Sequence, residues 1–332
     1  MSVNIAIVIL NWNGRLLLEQ FLPSVVRYSK EATIYIADNN STDDSISYLK
    51  TFFPDLIIIQ NEINGGYAKG YNDALAKIDA DIYCLLNSDV EVTENWLSPI
   101  IQSFQETENI AAIQPKILDY KKKTHFEYAG AAGGFIDKLG YPYCRGRVFD
   151  TLEEDIGQYD KNIDIFWASG ACLFIRKTIF EAVGKLDEDF FAHQEEIDLC
   201  WRIQNKGYQI KYISDSCVYH LGGATLDSMN PRKTFLNFRN NLLMMVKNIN
   251  SSSIIFIIYF RMILDGMAGF KFLIEGKPSH FIAILKAHFS FYGNLPTFVK
   301  KRGKLSETKK YYSVFSVVWR YYVQKKKRFD EL

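Results

Sequence analysis

Short, nearly unbroken apolar runs alternate with amphipathic stretches through the first third of the chain. Residues 3–10 (VNIAIVIL), 33–37 (TIYIA), 56–60 (LIIIQ) and 82–86 (IYCLL) are apolar, rich in β-formers and bounded by polar or turn-forming residues. Strands buried on both faces of a parallel sheet read this way. Helical spacing links Leu17, Phe21, Val25 and Val26, and returns over residues 68–78 and 95–105. Strands alternating with helices of about 10–15 residues predict an α/β fold with a mainly parallel central sheet. A strand at 110–117 is followed by a polar, glycine-rich section from 119 to 164, whose length predicts either a mobile or acceptor-contacting insertion or loose structure without a role. Beyond it come a strand at 171–176, a short helix at 177–183, a helix opening near residue 195, and strands over 208–213 and up to His220.

Polar residues collect where these strands end, which is where open α/β sheets bind ligands. Asn11 follows the first strand, and Asp38 and Asn40 follow the second. Asp38 can accept from a pyrimidine imide or a ribose hydroxyl. After the third, Gly65, Gly66 and Gly70 allow close backbone approach at a helix N-terminus that favours phosphate, although no GxGxxG fingerprint is present. The fourth ends in Asn87, Ser88 and Asp89. Asp89 suits a hard divalent cation shared with substrate phosphates, or a turn cap before the next helix.

A second acidic cluster, Glu195, Glu196 and Asp198 with His193 just before it, opens a helix. The helix dipole favours carboxylates there, but crowding raises the proton affinity of at least one, as a general base requires. His220 closes a strand ahead of a glycine turn, where a neutral imidazole can join a metal site or serve as a buried structural histidine.

Composition divides the chain. Its net charge of +1 hides 17 Lys and Arg against 5 Asp and Glu from residue 239 onward, a +12 tail that leaves −11 on residues 1–238. The tail is also rich in Phe, Tyr, Ile and Leu, which fits an anionic membrane surface and argues against nucleic acid. Residues 253–274 are nearly long enough to span a bilayer, but Arg261, Asp265 and Lys271 interrupt them, so a helix lying in the interface is expected. Segments 300–304 and 311–328 extend the same character, and packing helices of a homodimer are the rival reading. The 5 cysteines are scattered without a CxxC pair, which indicates neither a disulfide framework nor a zinc site. With a strand beginning by Ile5 and no signal-peptide pattern, a cytoplasmic protein peripheral to the inner face of the membrane is expected.

Together these motifs resemble the family 2 glycosyltransferases, non-processive sugar transferases of the GT-A nucleotide-binding fold, and in particular their bacterial rhamnosyltransferase-like branch. The resemblance covers roughly residues 4–245. VILNWNG is similar to the family's first strand and turn, and ADNNSTDDS to its nucleoside-binding loop around Asp38. NEINGGYAKGYNDAL resembles the donor-pocket segment, carried by Asn64, Gly66, Gly70 and Asn72. LLNSDV matches the DXD position with Asn87 in its first acidic place, leaving Asp89 as the carboxylate ligand. WASGACLFIRK looks like the acceptor-side segment, through Trp167, Ser169 and Gly170, and FFAHQEEIDLCWR like the ED motif, with Glu196 in place of the usual Asp and Glu195 beside it. HLGGATL is similar to the stretch whose histidine, here His220, approaches the metal. The absence of QxxRW argues against a processive synthase.

The resemblance implies a catalytic domain at 1–240 with a C-terminal helical region at 241–332. It also implies inverting transfer from a nucleoside diphosphate sugar, UDP- or dTDP-linked, to a hydroxyl of a glycan or lipid-linked acceptor. Glu196 would be the base, and Mg²⁺ or Mn²⁺ would sit on Asp89 and His220. A sugar-1-phosphate nucleotidyltransferase would carry a basic, glycine-rich phosphate loop after the first strand, which NWNGR matches poorly. A non-catalytic sugar-nucleotide-binding membrane scaffold is the reading from another class.

Overall fold

The computed structural model describes residues 3–222, 230–302 and 310–332. The apolar runs become the strands Ile5–Asn11 (β1), Ala32–Asp38 (β2), Ile57–Gln60 (β3) and Ile82–Asn87 (β4), paired in parallel in the order β3-β2-β1-β4. Their polar ends therefore share one edge of the sheet. The helices Arg15–Tyr28 (α1), Ser45–Phe52 (α2) and Gly66–Leu75 (α3) return the chain between them.

A short strand, Val90–Val92 (β5), and the helix Ser98–Glu106 (α4) lead into Ile110–Asp119 (β6). The 119–164 section carries regular structure rather than loose loop. It forms a second, four-stranded antiparallel sheet from Gly134–Ile136 (β7), Pro142–Cys144 (β8), Arg147–Val148 (β9) and Thr151–Leu152 (β10). Its glycines and aromatics pack, Trp167 lying against Gly134 so closely that a Cβ there would stand 2.1 Å from the indole.

The chain returns to the large sheet with Ile163–Asp164 (β11) and Cys172–Arg176 (β12). β12 inserts antiparallel between β4 and β6, and Lys177–Ala182 (α5) follows. After Glu195–Asn205 (α6), Gln209–His220 (β13) runs parallel to β6. The two strands expected over 208–220 are this one strand, bent by a bulge between Ile213 and Cys217. Apolar residues fill the space on both faces of the sheet. None of the five cysteines is in a disulfide.

The C-terminal helices are Pro231–Asn248 (α7), Ile254–Ile274 (α8) and Pro278–Lys300 (α9). The boundary expected at 240/241 falls inside α7, whose residues 240–248 are all buried. Lys247 bonds Asp187 at 2.7 Å and Asp198 at 2.8 Å, and Asn248 donates to Asp198 at 2.7 Å. These bonds tie the helix to the 187–198 segment. Among the described residues no helix is long and apolar enough to cross a membrane.

Candidate active site

The edge formed by β1, β2 and β3 carries a hydrogen-bonded layer of short polar side chains. Asn11 Nδ2 donates to Asp38 Oδ1 and to Ser41 Oγ, each at 3.1 Å, while the Ser41 amide donates to Asp38 Oδ2 at 3.1 Å. Asn39 reaches across to Asn64 Oδ1 at 2.9 Å. Asn11 Oδ1 is buried without a partner. A Cβ at Gly14 would stand 2.5 Å from that oxygen, so glycine is needed where the loop crosses it.

Beside this layer β4 ends. The Asn87 amide donates to Ala171 O at 3.0 Å, bringing the 169–171 turn next to it. Buried Asp89 contacts His220 at the end of β13, Oδ1 to Nε2 at 3.1 Å, and the Leu221 amide bonds the Asp89 carbonyl. The other face of the imidazole meets buried Glu127, with Nδ1 and Oε1 3.3 Å apart, a charge contact poorly directed for a hydrogen bond. Burial alone would lower the His220 pKa, but Glu127 and Asp89 outweigh it and lift it to about 10. In this state His220 is an imidazolium held between two carboxylates.

The second acidic cluster comes to the same end of the sheet through Tyr67. The Tyr67 amide donates to Phe191 O at 2.9 Å and its hydroxyl to Gly170 O at 2.8 Å. Burial, Tyr71 and then the charges of Glu195 and Glu196 raise the phenol well above its usual range. Burial pushes the Glu196 carboxyl up to about 7, and Glu195 is held well above the usual carboxylate range by burial and by Glu196. Each keeps one carboxylate oxygen enclosed and without a partner. A carboxyl poised near neutrality can take a proton from a hydroxyl at physiological pH.

The segment before them is conformationally unusual. Phe191, His193 and Gln194 all have positive φ, at 65°, 69° and 76°. Such backbone in non-glycine residues costs about 1–3 kcal/mol each and persists only where its surroundings fix it. Asn240 of α7 fixes it, donating to the carbonyls of Phe190, Ala192 and His193 at 3.0, 2.9 and 2.8 Å.

The family model of Glycosyl transferase family 2 matches residues 6–184. The chain belongs to that family. Among similar curated proteins, the N-acetylglucosaminyl-diphospho-decaprenol L-rhamnosyltransferase of Mycobacterium tuberculosis is 25% identical over 61% of this chain and 71% of its own length. The dTDP-rhamnosyl transferase RfbF of Shigella flexneri is 21% identical over 75% of this chain and 82% of its own. These relatives place the glycosyltransferase with the rhamnosyltransferase-like members. Among solved structures, GalNAc-T7 with UDP, GalNAc and Mn²⁺ superposes with a TM-score of 0.58 at 15% identity, over 74% of this chain and 48% of that one. The shared fold is GT-A.

Within the glycosyltransferase several expected residues do other work. Asn40 is exposed, and Asn39 occupies the inner position that had been expected of it. Asn72 is committed to the 186–188 segment, donating to Leu186 O and Glu188 Oε1 and accepting from the Leu186 amide. Gly66 and Gly70 serve packing, since Cβ atoms there would strike Phe191 O at 2.5 Å and Leu10 at 2.9 Å. The α3 N-terminus is thus covered by the 191 carbonyl and is not a free phosphate site.

Of the residues expected on the acceptor side, Trp167 and Ser169 are buried. The indole Nε1 donates to Phe135 O at 2.8 Å and the Ser169 amide to Gln114, while the Gly170 carbonyl accepts from the Tyr67 hydroxyl. Asp198 is a structural hub, fully buried with Arg202, Lys247 and Asn248, whose charges and bonds lower its pKa against the cost of burial. Glu127 escaped the sequence reading. It lies in the glycine-rich insertion, where no strand-end pattern marked it, and only its burial beside His220 gives it away. Of the HLGGATL stretch, Gly223, Ala224, Thr225 and Leu226 lie outside the described residues.

Proposed function

We propose that the enzyme transfers a sugar, with inversion and one residue at a time, from a pyrimidine nucleoside diphosphate sugar to a hydroxyl of a glycan or lipid-linked acceptor. The observation that carries this reading is the Glu195–Glu196 pair, with Glu196 near neutrality, joined through Tyr67 and the 169–171 turn to the strand ends bearing Asp38 and Asp89. Asp38, oriented by Asn11 and Ser41, would accept from the base or ribose. Glu196 would take the acceptor's proton as that oxygen attacks the anomeric carbon opposite the diphosphate, its carboxyl held near neutrality by burial.

A divalent cation fits the residues at hand. Asp89 and His220 offer one oxygen and one nitrogen, 3.1 Å apart and both buried at the end of the sheet. Among the described residues no cluster of three or more protein ligands occurs, so diphosphate oxygens and water would complete the shell. A mixed oxygen and imidazole set suits Mn²⁺ at least as well as Mg²⁺. When bound, such an ion neutralises charge developing on the departing diphosphate. Glu127 would hold the His220 ring in place from behind. The likeness to rhamnosyltransferases favours a dTDP-linked deoxysugar as the first donor to try.

The test is calorimetry with UDP and dTDP, with and without Mn²⁺, followed by a screen of their sugars for release of the diphosphate. Asp89→Ala should abolish the metal-dependent part of binding, and Glu127→Gln should weaken it by roughly 10–100-fold. Unchanged metal-dependent affinity in Asp89→Ala would remove Asp89 from the role.

A further inference from the structure

Of the 27 large hydrophobic side chains exposed among the described residues, 18 lie after residue 250. They form a face. On α8, Phe256, Phe260, Ile263, Met267, Phe270 and Ile274 recur every three or four residues and are each 44–88% exposed, making one outward stripe the length of the helix. The opposite side of α8 is buried and carries the charges. Arg261 and Asp265 pair at 2.7 Å, and Arg261 also bonds Asn241 Oδ1 and the Leu139 carbonyl beneath the Tyr141 ring. A surface helix ordinarily turns charge to water and apolar residues to the core. Here both sides are apolar, and the two mid-helix charges are neutralised inside the protein.

The face continues onto α9, where Ile282, Leu285, Phe289 and Tyr292 are exposed. Phe270 meets Phe281, and the Tyr292 hydroxyl reaches Met262 Sδ at 3.5 Å, so the two outer surfaces are contiguous. At one end the tail joins it, with Lys271 5.5 Å above the ring of Tyr322. Contiguous exposed apolar area on this scale marks an interaction site.

We infer that this face lies in the plane of an anionic lipid bilayer, with the α8 and α9 stripes sunk among the acyl chains and the surrounding lysines and arginines on the headgroups. Charge decides the occupant. Among described residues after 250 the only acidic side chains not buried are Glu275, Asp330 and Glu331, and Glu275 is already paired with Lys271 and Lys277. A second copy packed by a two-fold axis would bring basic residues against basic residues with no carboxylates to meet them. Anionic headgroups meet them instead. The inference rests on this surface alone and does not depend on the donor or acceptor of the reaction.

The experiment is flotation of the full chain with phosphatidylcholine vesicles, alone and with about one-third phosphatidylglycerol. The full chain should float with the anionic vesicles, and about 0.5 M NaCl should weaken that recovery. The triple variant Phe260→Ser, Ile263→Ser, Met267→Ser should lose at least roughly tenfold in partitioning with little loss of thermal stability, because these side chains are 44–62% exposed. Light scattering on the same samples reads mass. Absence of flotation by the full chain, or equal flotation by the variant, would overturn the inference. So would a dimer that the variant splits without any vesicle binding.

Discussion

At the scale of single residues, Glu196 carries the most exposed prediction. With its pKa raised to about 7 from an ordinary 4.5 by burial, turnover should rise with pH and level off above about 7, because only the carboxylate accepts a proton. Glu196→Gln should keep nucleoside diphosphate affinity and lose at least about two decades of kcat, read by steady-state kinetics beside calorimetry. Stability moves the other way. A folded pKa above the unfolded one means the folded state holds a proton that the unfolded state gives up as pH rises from about 4.5 to about 7. The wild-type residue therefore destabilises the fold above that window and not below it. The glutamine variant should melt higher than wild type at pH 8, by up to about 3 kcal/mol, and about the same at pH 4. Equal melting at both would mean the carboxyl is not held protonated. Asp38, Asp89 and His220 stand out in the sequence because strand-end position and chemical type coincide in them, and the acidic pair because it crowds a helix start. Glu127 does not, since its role depends on a long-range fold of the insertion onto β13. Asn72 and Trp167 were misjudged for a related reason: a polar or aromatic residue in a binding motif can be consumed by packing, and sequence does not show which atoms are already bonded.

At the scale of elements, period and punctuation located nearly every strand and helix of the large sheet. What they could not supply was direction and pairing. β12 reads as one more apolar run, yet it enters antiparallel between β4 and β6 and so delivers the 169–171 turn to the end of β4. The insertion misled because its strands are only two or three residues long, too short for any alternation to register. α7 matters most for the site. One side chain, Asn240, holds three carbonyls of a loop with three positive φ values, and its neighbour Asn241 bonds Arg261 on α8. Asn240→Ala should cost about 1–3 kcal/mol by removing the donor to the Ala192 and His193 carbonyls. It should also lower kcat more than it weakens donor affinity, because the loop places Glu195 and Glu196 but not Asp38. A melting curve and a split between kcat and diphosphate affinity check this. Loss of donor affinity with kcat intact would assign the loop to substrate binding.

At the scale of the whole molecule, an acidic catalytic layer and a basic, apolar helical layer are bolted together by α7, and composition alone made them look separable. Asp198 is shared between them. It is fully buried, and two of its three partners, Lys247 and Asn248, come from beyond residue 240. Removing residues 241–332 would leave that carboxylate with Arg202 alone, and would strip Asp187 of both Lys247 and Lys301. Breaking a buried pair costs about 3–5 kcal/mol, partly offset here by Arg202, against a total stability of about 5–15 kcal/mol for a typical domain. The truncation also uncovers apolar residues of α6 that α7 packs against. A chain ending at Asn240 is therefore expected to show no cooperative thermal transition by circular dichroism and to bind a hydrophobic dye. A chain keeping α7 but ending after Ile249 restores the Asp198 partners and should recover part of the transition. If the shorter chain melts cooperatively within a few degrees of the full protein, the catalytic layer folds alone and the C-terminal helices are an appendage after all.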